Sequence, residues 1–177
     1  TEQYHLQQKL EHLANVDELT HMFNRRAFIE KFASYQHKFE EGQVAYYFVL
    51  MDIDNFKDIN DTYGHLMGDK VISSLANTCL QFSSSEELLA RWGGEEFVMI
   101  LPANHHSQAM SRVEALQKQL NSLQISHPQQ DKTIQFTTSF GIADWCKGDT
   151  LDTLLHRADK ALYRAKALGK NRIESLF

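Results

Sequence analysis

The sequence is poor in several features that would make whole classes of protein plausible. Its 177 residues hold only two cysteines, Cys79 and Cys146, far apart and without metal-ligand spacing. That argues against a disulfide framework or thiolate metal cluster and fits a reducing compartment. Prolines also number two, and no repeat, low-complexity tract or long linker is visible. The longest apolar run, Val44–Met51, is far below the roughly 20 residues of a membrane span, and no signal peptide is seen. Positive charge is in deficit, 18 Lys and Arg against 23 Asp and Glu, formally −5. This argues against a basic surface for nonspecific nucleic-acid binding. What remains is an ordinary globular composition, 42% apolar and 23% charged, on a length suited to one domain with a sizeable core.

Hydrophobic periodicity predicts alternating helices and strands. Leu6, Leu10 and Leu13 give Gln3–Val16 a narrow apolar seam, suited either to pairing with another helix or to packing on its own domain. A second helix is expected over Asn24–Glu41, ending at Gly42. Val44–Ile53 reads as a strand buried on both faces. Helices are expected around Asn55–Tyr63, from about Met67 to Phe82, over His105–Leu123 and over Leu151–Leu168. Leu88–Trp92 and Phe97–Leu101 form a hairpin, Thr133–Ala143 one further strand, and Arg172–Leu176 a terminal one. Such an order gives an α+β fold, a mixed sheet covered by helices. The expected division is a leading helix, residues 1–16, and a globular domain, residues 17–177.

Two short stretches carry candidate chemistry. Asp52 stands where the buried strand stops, and Asp54 lies two residues on, pointing the same way if the strand continues. Two carboxylates at a strand end suit Mg²⁺, a hard cation that prefers oxygen ligands. The alternative makes Asp54 or Asn55 the N-cap of the next helix. The second stretch is Gly93-Gly94-Glu95-Glu96, whose glycine pair is a strong hairpin signal. Alone, it is a decorated turn. If the hairpin pairs beside the Asp52 strand, Glu95 joins Asp52 around one or two cations. Only through such cations can an acidic site accept a nucleotide triphosphate.

Four segments, DELTHMFNRR (Asp17–Arg26), DIDNFKDINDTYGHLMGD (Asp52–Asp69), RWGGEEF (Arg91–Phe97) and ADKALYRAKALGKNR (Ala158–Arg172), resemble the diguanylate cyclase family, named GGDEF after its signature turn. Here the third letter is Glu, a variant that active members also carry. The resemblance implies a five-stranded sheet flanked by helices, akin to polymerase palms and class III nucleotidyl cyclases, with a ferredoxin-like core. It implies that two GTP become cyclic di-GMP and two pyrophosphates across a homodimer, each subunit holding one GTP.

By the same resemblance, Asp52, the Ile53 carbonyl and Glu95 would hold Mg²⁺, two ions per half-site, with Mn²⁺ as a substitute. Glu95 and Glu96 are candidates for the base, and Lys57 for charge neutralisation in the transition state. Asn60 and Asp69 would read guanine, with His65 and Phe56 close by. Gly93 and Gly94 would let the backbone approach the nucleotide, and Lys166 and Lys170 would reach the terminal phosphates. Lys170 stands where Arg is common, which loses a bidentate grip. Asp17, Leu19, Asn24 and Arg25 match a leading motif expected to tie the first helix to the domain.

The Arg-x-x-Asp pair that binds inhibitory product in many members is replaced by Ser84 and Glu87, so strong product inhibition through it is not expected. Other implied properties are an upstream sensor acting through the first helix, a cytoplasmic location (including as part of a membrane-attached protein), and no nucleic-acid or direct membrane contact. Two other readings stand beside an active cyclase. One is a silent GTP- or cyclic di-GMP-binding regulatory module; the other is a different two-metal nucleotidyl transferase.

Overall fold

An apolar run without polar interruption can be buried on both faces, which places it in the middle of a sheet. The computed structural model describes residues 1–177 and has this run as β1 (Tyr46–Ile53), the central strand of five. β2 (Leu88–Gly93) and β3 (Glu96–Pro102) form the hairpin, with β3 antiparallel to β1. On the other side, β6 (Thr138–Asp144) is antiparallel to β1 and parallel to β7 (Ile173–Leu176). The order is β2-β3-β1-β6-β7, a mixed sheet, as the sequence leads one to expect.

Alternation along β1 sorts the core into two layers. Tyr47, Val49, Met51 and Ile53 face α4 (His65–Phe82) and α5 (His106–Asn121), whose Val71, Leu75, Val113 and Leu116 are buried there. Tyr46, Phe48 and Leu50 face α2 (Arg25–Glu40) and α6 (Leu151–Ala167). The same period of two sends Asp52, the next even-numbered residue, out on the α6 side. α6 lies tight against the sheet because Gly141 has no side chain. A Cβ there would meet the Ala158 carbonyl at 2.1 Å and the Leu162 nitrogen at 2.5 Å. Ala158, Ala161 and Ala165 continue this small-residue face, and Lys166 follows in the last turn. The glycine thereby sets how closely Lys166 approaches the end of β1.

Two boundaries differ from expectation. α3 (Phe56–Tyr63) and α4 are separated by Gly64 alone, so α4 begins at His65 rather than near Met67. Gly64, at φ +92°, donates to the Asn60 carbonyl and accepts from the Gly68 N–H, ending one helix and starting the next. Thr133–Ala143 is not one strand. Its first part, β5 (Thr133–Ile134), pairs with β4 (Ile125–Ser126) in a separate small sheet, and β6 starts only at Thr138. Between them Phe136 turns into the core, while Thr137 offers its carbonyl and hydroxyl to Asp54. Neither Asp54 nor Asn55 caps α3 with its side chain: Asn55 sits at the N-cap with φ +55° and no such bond.

α1 (Glu2–Asn15) has no buried residue, and Leu6, Leu10 and Leu13 are 59%, 59% and 64% exposed. The Asn24 side chain donates to the Ala14 carbonyl and accepts from the Ala27 N–H, linking the end of α1 to the start of α2. No helix is long and apolar enough to cross a membrane.

Candidate active site

The register of β1 on β3 sets Asp52 opposite Glu96, and the Ile53 N–H donates to the Glu95 carbonyl at 3.3 Å. The Gly93–Gly94 turn, with Gly94 at φ +52°, makes that register possible. Asp52, Glu95 and Glu96, all half-buried, therefore lie at one strand end. Burial pushes the Asp52 carboxyl above its ordinary range; Lys166 pulls it back, while Glu95 and Asp54 add to the rise. Glu96 is likewise raised by burial, then by Asp52, Asp159 and Glu95. Negative charge here exceeds what the protein's own cations neutralise.

The cation already present defines the donor set. The Lys166 ammonium donates to Asp52 Oδ1 at 3.1 Å, to the Ile53 carbonyl at 3.5 Å and to Asp54 Oδ1 at 2.7 Å. Two of those oxygens, on Asp52 and Ile53, are ones expected to bind metal. The three carboxylates share this strand end without forming a ready-made metal cluster of side chains; a metal would draw on the Asp52 and Glu95 carboxylates and the Ile53 carbonyl. All are hard oxygen donors, which fit Mg²⁺.

Asp54 is the one charged residue buried over backbone and side chain together, at 3% exposure. Burial raises its carboxyl, but hydrogen bonds from Lys166, Ser139, Thr137 and the Asn171 N–H hold it below the ordinary range. It accepts from Thr137 and Ser139 hydroxyls at 2.6 Å each and from the Asn171 N–H at 2.9 Å. Beside it Lys170 donates to the Asn55 side chain at 2.6 Å. Sequence reasoning missed Ser139, Thr137 and Asn171, which lie 83 to 117 positions from Asp54. The polar pair Asp52/Asp54 was the only local signal.

The residues expected to read a base lie across α3 and α4. Asn60 is half-buried near the end of α3; His65 and Asp69, four apart at the start of α4, are exposed on one face. Asn60 Oδ1 is buried without a partner. It rests against Gly68, where a Cβ would meet Oδ1 at 1.8 Å and the Phe56 ring at 3.2 Å. Phe56, Asn60 and Gly68 thus form one packed unit. Lys57 is exposed on α3, apart from these contacts.

Two further ion pairs frame the hairpin. Asp17 accepts from Thr20 and from Arg91, and Arg91 Nε donates to the Gly94 carbonyl at 3.0 Å, joining the leading motif to the signature turn. At the hairpin's other end Arg112 grips Glu87 with two bonds of 2.8 and 2.9 Å and donates to the Phe82 carbonyl. These residues line a groove of about 640 Å³ with Ser84 and Pro102.

Comparison with known proteins bears on this arrangement. The family described as "Diguanylate cyclase, GGDEF domain" matches residues 14–172. Diguanylate cyclase DgcM of Escherichia coli K12 is 39% identical over 180 residues, covering 98% of this chain but 41% of DgcM. The chain thus spans less than half the length of that relative. The crystal structure of the coiled coil and GGDEF domain of DgcB from Caulobacter crescentus, in complex with c-di-GMP, superimposes with a TM-score of 0.91 at 31% identity. It covers 98% of this chain and 91% of that one. The active GGEEF domain of a diguanylate cyclase from Vibrio cholerae matches with a TM-score of 0.76 at 30% identity, covering 86% and 96%. With its signature turn, acidic strand end and five-stranded sheet, this chain belongs to the GGDEF-domain diguanylate cyclase family.

Proposed function

We propose that this domain is an active diguanylate cyclase that condenses two GTP into cyclic di-GMP and two pyrophosphates. Each of two subunits would hold one GTP, so that each 3′-hydroxyl attacks the α-phosphate held by the other subunit. The observation that carries this reading is the convergence of Asp52 and the Glu95–Glu96 turn at one strand end, with more carboxylate than cation. A site so charged favours a divalent cation and, with it, a triphosphate. Asp52, Glu95 and the Ile53 carbonyl would hold Mg²⁺, two ions per half-site, or Mn²⁺ in its place. The ion supplies neutralisation of the phosphate and of the pyrophosphate leaving group.

The chain's own groups supply the rest. A carboxylate directly on a dication is a weak base, so Glu95 serves first as a ligand. Glu96, whose carboxyl is raised by burial and its acidic neighbours, is the stronger candidate to take the 3′-hydroxyl proton. Lys57 would neutralise developing charge, and Lys166 and Lys170 would bind the outer phosphates. Asn60 and Asp69 would read guanine with an amide and a carboxylate, with His65 and Phe56 flanking the base. Gly93 and Gly94, both exposed, leave the turn open to the nucleotide.

Two half-sites must face each other, so the active form is a homodimer. The exposed Leu6–Leu10–Leu13 seam suits pairing with a second copy and control by an upstream sensor, in a cytoplasmic setting. Incubation with GTP or with ATP, each with Mg²⁺, followed by product identification by mass, tests the reading. Cyclic di-GMP from GTP alone supports it. Tight GTP binding without product would make the domain a silent regulatory module, and linear products or ATP turnover would make it another nucleotidyl transferase.

A further inference from the structure

The buried carboxylate of Asp54 touches none of the groups that would react, yet it is the most heavily bonded side chain in the region. Its four donors come from three separate pieces of chain: Thr137 and Ser139 flanking the first residue of β6, Lys166 at the end of α6, and the Asn171 N–H in the turn before β7. That turn runs through three consecutive residues with positive φ, Gly169 (+123°), Lys170 (+63°) and Asn171 (+48°). Asn55, which accepts from Lys170, is itself at φ +55°. Left-handed non-glycine residues persist only where their surroundings over-determine them. Here the surroundings are Asp54 and Asn55 on one side and, on the other, Gln117 and Asn121 of α5, which donate to the Asn171 carbonyl and side chain. A buried carboxylate with every donor satisfied keeps those donors in place.

We propose that Asp54 is a positioning residue for phosphate recognition. It holds Lys166 directly and, through Asn171 and the left-handed turn, sets Lys170, so both ammonium groups stand ready for the outer phosphates of the nucleotide. The inference rests on the reading of those lysines as phosphate ligands. Lys166 is shared between Asp52 at 3.1 Å and Asp54 at 2.7 Å. With Asp54 in place, the ammonium keeps one carboxylate partner when a metal ion takes oxygens from the other. Without it, Lys166 has Asp52 alone and competes for the same oxygens.

The test is equilibrium binding of GMP and of 3′-deoxy-GTP with Mg²⁺; the latter lacks the attacking hydroxyl and cannot react. The quantity read is the ratio of the two dissociation constants, the gain from the added phosphates. Asp54→Asn should cut that gain by about tenfold, the scale typical of outer-shell positioning groups, while GMP affinity stays within about twofold. Lys166→Met should cut it similarly, and the double variant should lose no more than either alone, as coupled residues do. Thr137→Val removes one donor to Asp54 in a part-buried setting and should lower the gain less, keeping the test alive if Asp54→Asn does not fold.

An unchanged gain in Asp54→Asn, equal losses for GMP and 3′-deoxy-GTP, or full additivity with Lys166→Met would overturn the proposal. If Asp54→Asn does not fold, an unchanged gain in Thr137→Val overturns it too. If Lys166→Met and Lys170→Met leave the gain of the wild type untouched, the reading of the lysines is itself wrong and the inference falls with it.

Discussion

The two ends of the β2–β3 hairpin handle charge in opposite ways. At the turn, Asp52, Glu95 and Glu96 share one strand end, and Lys166, the cation bonded to Asp52, is itself shared with Asp54. Burial and mutual repulsion leave Asp52 and Glu96 raised. At the far end, Glu87 is almost fully buried but has Arg112 to itself through a two-point contact. One end is short of positive charge, which is what the proposed cation would supply; the other is neutralised and serves the fold. A carboxylate cluster signals binding only where its charge is left unbalanced by the protein.

The largest expected effect comes from breaking the unbalanced end. Glu95→Ala should lower cyclase turnover by on the order of 10³-fold, as loss of a metal ligand and near-base does, with the circular dichroism spectrum unchanged. In the metal-free protein the same change should raise thermal stability, because it removes repulsion on Asp52 and Glu96. A variant that is less stable and still active would erase the distinction between the two ends.

Next in size, Gly68→Ala places a methyl group where Asn60 Oδ1 now sits. Overpacking of this kind costs about 1–3 kcal/mol, so GTP affinity should fall by roughly tenfold. The loss should shrink sharply in an Asn60→Ala background, where the nearest remaining contact is the Phe56 ring at 3.2 Å. Calorimetry on the four proteins of the cycle decides it.

At the balanced end, Glu87→Ala strands Arg112 and should destabilise the domain by about 1–3 kcal/mol, while turnover per folded molecule stays the same. Cyclic di-GMP titrated into the wild-type domain should not inhibit at submicromolar concentration, because Ser84 has no guanidinium and Glu87 already holds Arg112. Submicromolar inhibition abolished by changes at 84–87 would show this groove to be a product site after all.

The smallest effect is in pH. Asp149 is another balanced group: burial raises its carboxyl, but Arg157, the Cys146 N–H and Thr153 pull it below the ordinary value. A folded-state value below the unfolded one contributes stability that is complete above about pH 4. That stability is lost as pH falls through the folded value. The advantage of wild type over Asp149→Asn should therefore shrink below pH 4. Asp52 and Glu96 carry the opposite sign: their raised folded values add stability as pH drops through them, which denaturant melts of Asp52→Asn would register as a flatter slope.

The unequal legibility of the two ends follows from sequence distance. The Asp52 strand and the glycine turn announce themselves locally, one by an apolar run ending in acid, the other by residues that tolerate positive φ. Their meeting needed only a hairpin beside a central strand. Asp54 was ambiguous because its partners arrive from 83 or more positions away, and an N-cap fits the same local pattern. Thr133–Ala143 looked continuous because β-branched and aromatic residues run through it, yet Thr137 is diverted to Asp54. The Arg112–Glu87 pair had no local signal at all. Long-range polar contacts are the part of a fold that periodicity does not encode.

The central claim is tested most directly by electron paramagnetic resonance of Mn²⁺ titrated into the protein with 3′-deoxy-GTP. The wild type should take up the ion with the nucleotide, and both Asp52→Asn and Glu95→Ala should weaken that uptake by at least about tenfold. If the two variants retain Mn²⁺ and nucleotide as tightly as the wild type, the cation is held elsewhere and the acidic strand end is not the active site.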